Sequence, residues 1–106
     1  MKIIQIGLYI MIILNVFFKV DPMKKADFLQ VLHNMVTESN KEEACLRYQL
    51  WNNDADPCHY ALIEAWKNKE GLEKHQKTAH WIAFNDVVNS FLTENYDENH
   101  YQEIIS

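Results

Sequence analysis

Glycine, proline and cysteine each occur only twice in 106 residues. Two glycines cannot build a phosphate-cradling loop or a dinucleotide fingerprint, so nucleotide chemistry of those kinds is excluded. Scarce Gly and Pro also speak against disorder and low complexity. Two cysteines cannot make a disulfide scaffold. If residues 44–52 and 58–66 pair about a turn at 53–57, position 51 faces 58 and position 45 faces 64. Cys45 and Cys58 then sit roughly 20 Å apart at about 3.4 Å per residue, whereas a bridge needs Cα atoms within about 7 Å. Two free thiols are expected, and with them a reducing, cytoplasmic compartment. A basic excess is also missing. The net charge is −5, which excludes the positive face a nucleic-acid binder needs. The longest apolar stretch, at the N-terminus, falls short of the roughly 20 residues of a spanning helix and is broken by Gln5, Gly7 and Asn15. No membrane partner is expected.

What is present suits a single packed domain: 48% of the residues are hydrophobic. Residues 1–10 read as an apolar N-terminal extension and residues 11–106 as the domain; Met11 would also serve as a start. Residues 11–20 (MIILNVFFKV) are rich in β-branched and aromatic side chains and predict a buried strand. Asp21-Pro22 supplies a cap and a first-turn proline. Phe28, Val31, Leu32, Met35 and Val36 then form one stripe of a helix over 23–39, with His33 beside it as a surface residue.

Residues 44–52 and 58–66 alternate as two strands around the turn chemistry of Asn52-Asn53-Asp54-Ala55-Asp56-Pro57. Residues 69–77 predict a short helix. Thr78 caps another over 79–92, whose stripe is Phe84, Val87, Val88 and Phe91. Residues 101–106 read as a last strand and 94–103 as a solvated acidic approach to it. The order is α+β, a ferredoxin-like split β-α-β-β-α-β unit. None of the first three strands has a purely polar face, so the sheet surface away from the helices needs cover. A second copy of the chain, a homodimer through the open face, supplies it most simply.

Chemistry-bearing side chains concentrate in 44–81, which holds all three tryptophans, both cysteines and three of the five histidines. Glu64 and Trp66 share a strand face. His75 ends one helix and His80 starts the next, so both point back at the sheet across one gap. A carboxylate beside a histidine holds its tautomer and tunes it for acid–base work near neutrality. The alternative is that Glu64 and the histidines only satisfy one another at the helix break. The His75-x4-His80 spacing lacks the i, i+4 pattern of a helical zinc site and no CxxC accompanies it, so no metal is expected. Tyr48, Trp51, Tyr60 and Trp66 suit core or interface, or a flat aromatic ligand.

These residues carry a family resemblance. Glu42-x-Ala44-Cys45-Leu46-x-Tyr48, Asp56-Pro57, Leu62-Ile63-Glu64-x-Trp66 and Leu72-x-x-His75-x-x-Thr78-x-His80-Trp81-x-x-Phe84 occur in an order and spacing that resembles the antibiotic biosynthesis monooxygenase domain, from about residue 11 to 92. The resemblance implies a dimeric α+β barrel with a small pocket between each sheet and its helices. It also implies cofactor-free oxidation of quinols or phenolic aromatics by dioxygen. His75, His80 and Glu64 would be base and orienter, and Trp66, Tyr48, Asn15 and Phe84 would contact a small aromatic substrate. Ala44 and Met23 replace two glycines usual in the family. Haem-degrading members use an Asn, a Trp and a His; here the last two positions carry His75 and Asn85, against haem degradation. Other members suggest an isomerase or lyase acting on a small carbonyl compound. A phosphorylated substrate would call on Lys24, Lys25, Lys74 or Lys77. A non-catalytic dimeric binding protein is the third alternative.

Overall fold

A computed structural model describes residues 10–104; the N-terminal extension, apart from Ile10, and the last two residues of the expected C-terminal strand lie outside that range. Strand β1 (Ile12–Lys19) is followed by a 3-10 turn (Pro22–Lys24) and helix α1 (Lys25–Ser39). Strands β2 (Cys45–Asn53) and β3 (Asp56–Trp66) form a hairpin. Helices α2 (Lys69–His75) and α3 (Ala79–Val87), a 3-10 turn (Val88–Phe91) and strand β4 (Asp97–Gln102) complete the chain. The sheet runs β2-β3-β1-β4, every pair antiparallel. This is the ferredoxin-like α+β arrangement.

Local chemistry sets the boundaries. The Asp21 side chain accepts from Met23 N at 3.0 Å and caps the turn into α1. Asn40 closes α1 and ties it to the sheet: its Nδ2 donates to Val36 O at 2.8 Å and to Tyr48 O at 3.0 Å. Phe28, Leu32 and Met35 from the expected α1 stripe are fully buried, while Val31 and Val36 flank them. They meet Phe18 and Tyr60 of the sheet, with Phe18–Phe28 and Phe28–Tyr60 centroids 5.3 and 5.1 Å apart. Each such buried side chain contributes about 1.5–3 kcal/mol.

Three expectations are corrected. The hairpin turn is tighter than residues 53–57: strand pairing reaches Asn53↔Asp56, and then a bulge shifts the register so that Trp51 faces Ala61 and Tyr48 faces Glu64. Pro57 has no N–H to give the ladder. Asn52 Nδ2 bonds His59 O at 2.9 Å and Cys58 N bonds Asp56 Oδ1 at 2.8 Å. A second irregularity between Cys45 and Arg47 brings Cys45 opposite Trp66 rather than Glu64. Both cysteines are free. The last strand comes earlier, at 97–102, within the acidic stretch read as solvated. As an edge strand it needs only backbone pairing with β1, and charge there discourages further pairing. Finally, the helix expected over 79–92 tightens into 3-10 form at Val88.

One sheet face (Leu14, Val16, Phe18, Tyr48, Tyr60, Leu62, Trp66) is buried under the helices. The other carries Ile13, Asn15, Phe17, Trp51, Ile63 and Tyr101, with Phe17, Trp51 and Tyr101 about half exposed. No helix among the described residues is long and apolar enough to cross a membrane.

Candidate functional site

Helices α2 and α3 meet at a break built by one residue. Thr78 Oγ1 donates to His75 O at 2.7 Å, closing α2, and accepts from Trp81 N at 3.2 Å, opening α3. At the other end of α2, Asn68 Oδ1 accepts from Gly71 N at 2.8 Å. The caps fix where His75 and His80 leave the backbone. Gly71 lets α2 lie against the start of β2: a Cβ there would come within 2.3 Å of the Ala44 Cβ.

Both histidines converge, but not on Glu64. His75 Nδ1 lies 2.6 Å and His80 Nε2 2.8 Å from the same oxygen, Oε2 of Glu42. Glu42 sits in the turn between α1 and β2, held by Glu42 N to Ser39 O and Cys45 N to Glu42 O bonds of 3.1 Å each. As a carboxylate it only accepts, so His75 carries its proton on Nδ1 and His80 on Nε2. The His75 ring packs on Trp66 with centroids 4.4 Å apart and on Tyr48 at 5.5 Å. Burial, outweighing the opposing pull of Glu42, holds His75 below the usual histidine range. It is therefore neutral near pH 7, with Nε2 left as its unprotonated nitrogen.

Glu64 lies deeper. It is 4% exposed, and its Oε1 accepts from Trp66 Nε1 at 3.0 Å. Burial pushes its carboxyl up to about 8, only partly offset by the Trp66 hydrogen bond. At neutral pH it is largely protonated.

Glu64 and His75 border one narrow cavity, together with Tyr48, Phe84, Gln76, Trp81, Tyr96 and Glu98 and the aliphatic floor of Leu14, Val16, Leu62 and Leu72. Its volume is about 10 Å³, enough for one water and no more. A neutral base and a protonated acid thus face one small space, an arrangement able to take a proton from one atom and return one to another.

Among the residues named from the sequence, Tyr48, Phe84, Glu64 and His75 line this cavity. Trp66 stands behind it, holding Glu64 and backing His75. His80 does not line it and meets Glu42 Oε2 outside the cavity. Asn15 points to the opposite sheet face: it pairs with Ile63 and Asn99, and its neighbours Leu14 and Val16 take the core side. The lysines proposed for a phosphate do not gather at the cavity. Lys24 bonds Ser90 O at 2.8 Å, and Lys74 lies 3.7 Å from Glu70. Sequence reasoning missed the role of Glu42, although Glu42 opens the resembling motif. It also missed Tyr96, Gln76 and Glu98, which carry no recognisable local signal.

The sequence profile described as "Antibiotic biosynthesis monooxygenase" matches residues 11–87. The chain is 31% identical over 74 residues to the Bacillus subtilis (strain 168) protein named "Putative monooxygenase YcnE", covering 70% of this chain and 78% of that one. Among solved structures, Rv0793 from Mycobacterium tuberculosis superposes with a TM-score of 0.85 at 18% identity, over 91% of this chain and 97% of that one. PA3566 from Pseudomonas aeruginosa superposes with a TM-score of 0.81 at 24% identity, over 90% and 95%. At those identities the two structures support the fold alone.

Proposed function

Because the chain belongs to the antibiotic biosynthesis monooxygenase family, which supports a general monooxygenase-like role, we propose that it is a cofactor-independent monooxygenase oxidising a quinol or other electron-rich phenol. The observation that carries this reading is the Glu42–His75 pair at 2.6 Å beside a cavity that also holds the Glu64 carboxyl. Nε2 of His75 takes the phenolic proton. The phenolate supplies the electrons: it reduces dioxygen and forms a carbon–oxygen bond, giving a ring peroxide. The His75 imidazolium returns its proton to the distal peroxide oxygen. Neutral His75 then takes the proton of the ring C–H bond as the O–O bond breaks, leaving one oxygen on the ring as a carbonyl. Glu64 supplies the second proton as the distal oxygen departs as water, and is reprotonated from His75. Substrate and O₂ together account for every electron, so no further reductant enters. Tyr48 and Phe84 contact the aromatic ring, and the dry wall of the cavity protects the peroxide.

As closed, the cavity admits a water and not a ring. On this reading a ring-sized substrate requires the lining side chains of Gln76, Trp81 or Tyr96 to move outward. The active form on this reading is a homodimer through the open sheet face, supported by exposed Phe17, Trp51 and Tyr101. It resides in the cytoplasm, in keeping with two free thiols. Sedimentation as a monomer at micromolar concentration would contradict the dimer.

The closed cavity favours a second reading, a non-catalytic dimeric binding protein. Incubation with a panel of reduced quinols, with and without oxygen, separates the alternatives. Oxygen uptake matched one-to-one by product supports the monooxygenase. Turnover that persists without oxygen points to an isomerase or lyase, and no turnover on any quinol supports the binding protein.

A further inference from the structure

The His75-x4-His80 spacing alone argues against a metal, but the fold adds a third donor. Glu42 Oε2, His75 Nδ1 and His80 Nε2 all lie within 4.8 Å of one another. They come from three separate points of the chain: a turn, the end of α2 and the second residue of α3. We infer that Glu42, His75 and His80 form a binding site for a single Zn²⁺-class divalent cation. Two imidazoles and one carboxylate suit Zn²⁺ or Co²⁺ rather than Mg²⁺ or Ca²⁺, which prefer all-oxygen sets. Three protein ligands leave the fourth tetrahedral position open.

The geometry is close to that requirement. Metal–ligand distances of about 2.0–2.1 Å put tetrahedral ligand atoms about 3.3 Å apart. The observed 2.6 and 2.8 Å contacts therefore open by roughly half an ångström as the ion replaces two shared protons. The protons need not leave. Each neutral ring moves its hydrogen to the other nitrogen, so His75 coordinates through Nδ1 and carries N–H on Nε2. Access exists from outside: Glu42 also borders a surface groove of about 380 Å³ with Glu43, Lys67 and Lys74. The side chains of Glu42 and His80 keep 17% and 15% of their surface exposed.

One consequence rests on the reading of His75 as the base. With its hydrogen on Nε2, His75 has no lone pair for a phenol, so the occupied site silences base catalysis. Binding itself stands apart from that reading and is tested without substrate. Titrating the full-length protein with Zn²⁺ by calorimetry, and with Co²⁺ by visible absorption, is expected to show one ion per chain with tetrahedral Co²⁺ bands. His80→Ala, at a partly exposed position, is expected to weaken binding by about a hundredfold or more. His33→Ala, on an exposed face of α1, is expected to change nothing. His80→Ala is checked for folding by circular dichroism, and Glu42→Gln serves as the second ligand variant. Absence of binding in the wild-type protein, or binding that survives both His80→Ala and Glu42→Gln, overturns the site.

Discussion

Two carboxyl groups flank the proposed base, Glu64 in the cavity wall and Glu42 outside it on the Nδ1 side of His75, with the same chemistry and opposite employment. Glu64 is buried and receives one hydrogen bond, from an indole. One neutral donor does not offset the loss of water, so the group holds its proton. Glu42 is partly exposed and receives two imidazole N–H groups on one oxygen. It serves as an acceptor that fixes the histidine tautomer. Environment, not residue type, divides the acid from the orienter, and the proposed base stands between them.

The comparison is broken most severely at that base. His75→Ala is expected to lower kcat by about 10²–10⁴-fold, read as oxygen uptake with a reduced quinol. Loss of less than threefold would remove His75 from the mechanism.

Next comes the buried acid. A folded-state pKa of about 8 against 4.5 for the ordinary carboxyl means that the native state binds the proton more tightly. Stability from this group is therefore full below about pH 4.5 and is lost as pH rises towards 8, at up to about 1.4 kcal/mol per unit. Glu64→Gln keeps the shape without the titration. It should flatten that slope and make the protein more stable than wild type at pH 8, as measured by urea unfolding at pH 5 and pH 8. An unchanged slope would show that Glu64 is ionised in the fold.

At the orienter, Glu42→Gln leaves a side-chain oxygen and adds competing N–H donors. A kcat reduction of about 10–100-fold is expected, with KM little changed, because the base is misoriented while the cavity wall is intact. An effect on KM alone would mean that Glu42 only shapes the pocket.

The smallest expected effect concerns the contact between α2 and the start of β2. Gly71→Ala forces α2 away from Ala44 at a cost of roughly 1–2 kcal/mol. Gly71→Ala combined with Ala44→Gly should recover most of that loss in thermal unfolding. Failure of the pair to recover would place the strain elsewhere.

Much of this fold is legible in the sequence because its signals are local. Asp21-Pro22, the stripe around Phe28 and Leu32, and the cap at Thr78 all act within a turn or two of the chain. So does the histidine pair that Thr78 positions. What was not legible acts at a distance or through the backbone. Glu42 reaches His75 across 33 residues and His80 across 38. Asn15 could not be assigned a face because β1 is apolar on both. The hairpin register turned on how Pro57 interrupts a ladder and how Asn52 repairs it. Strand β4 pairs with β1 through its backbone ladder, and its polar side chains gave no alternating apolar pattern to reveal it.

The most direct test of the central claim, a Glu42-oriented base and a protonated acid facing one cavity, is the pH dependence of kcat/KM. His75 acts when unprotonated and lies below the usual histidine range of about 6.5. Glu64 acts while protonated, up to about 8. The profile should therefore be a bell, with its acid limb below pH 6.5 and its alkaline limb near pH 8, the latter lost in Glu64→Gln. A rate independent of pH across that window, or an alkaline limb unchanged by Glu64→Gln, would contradict the account.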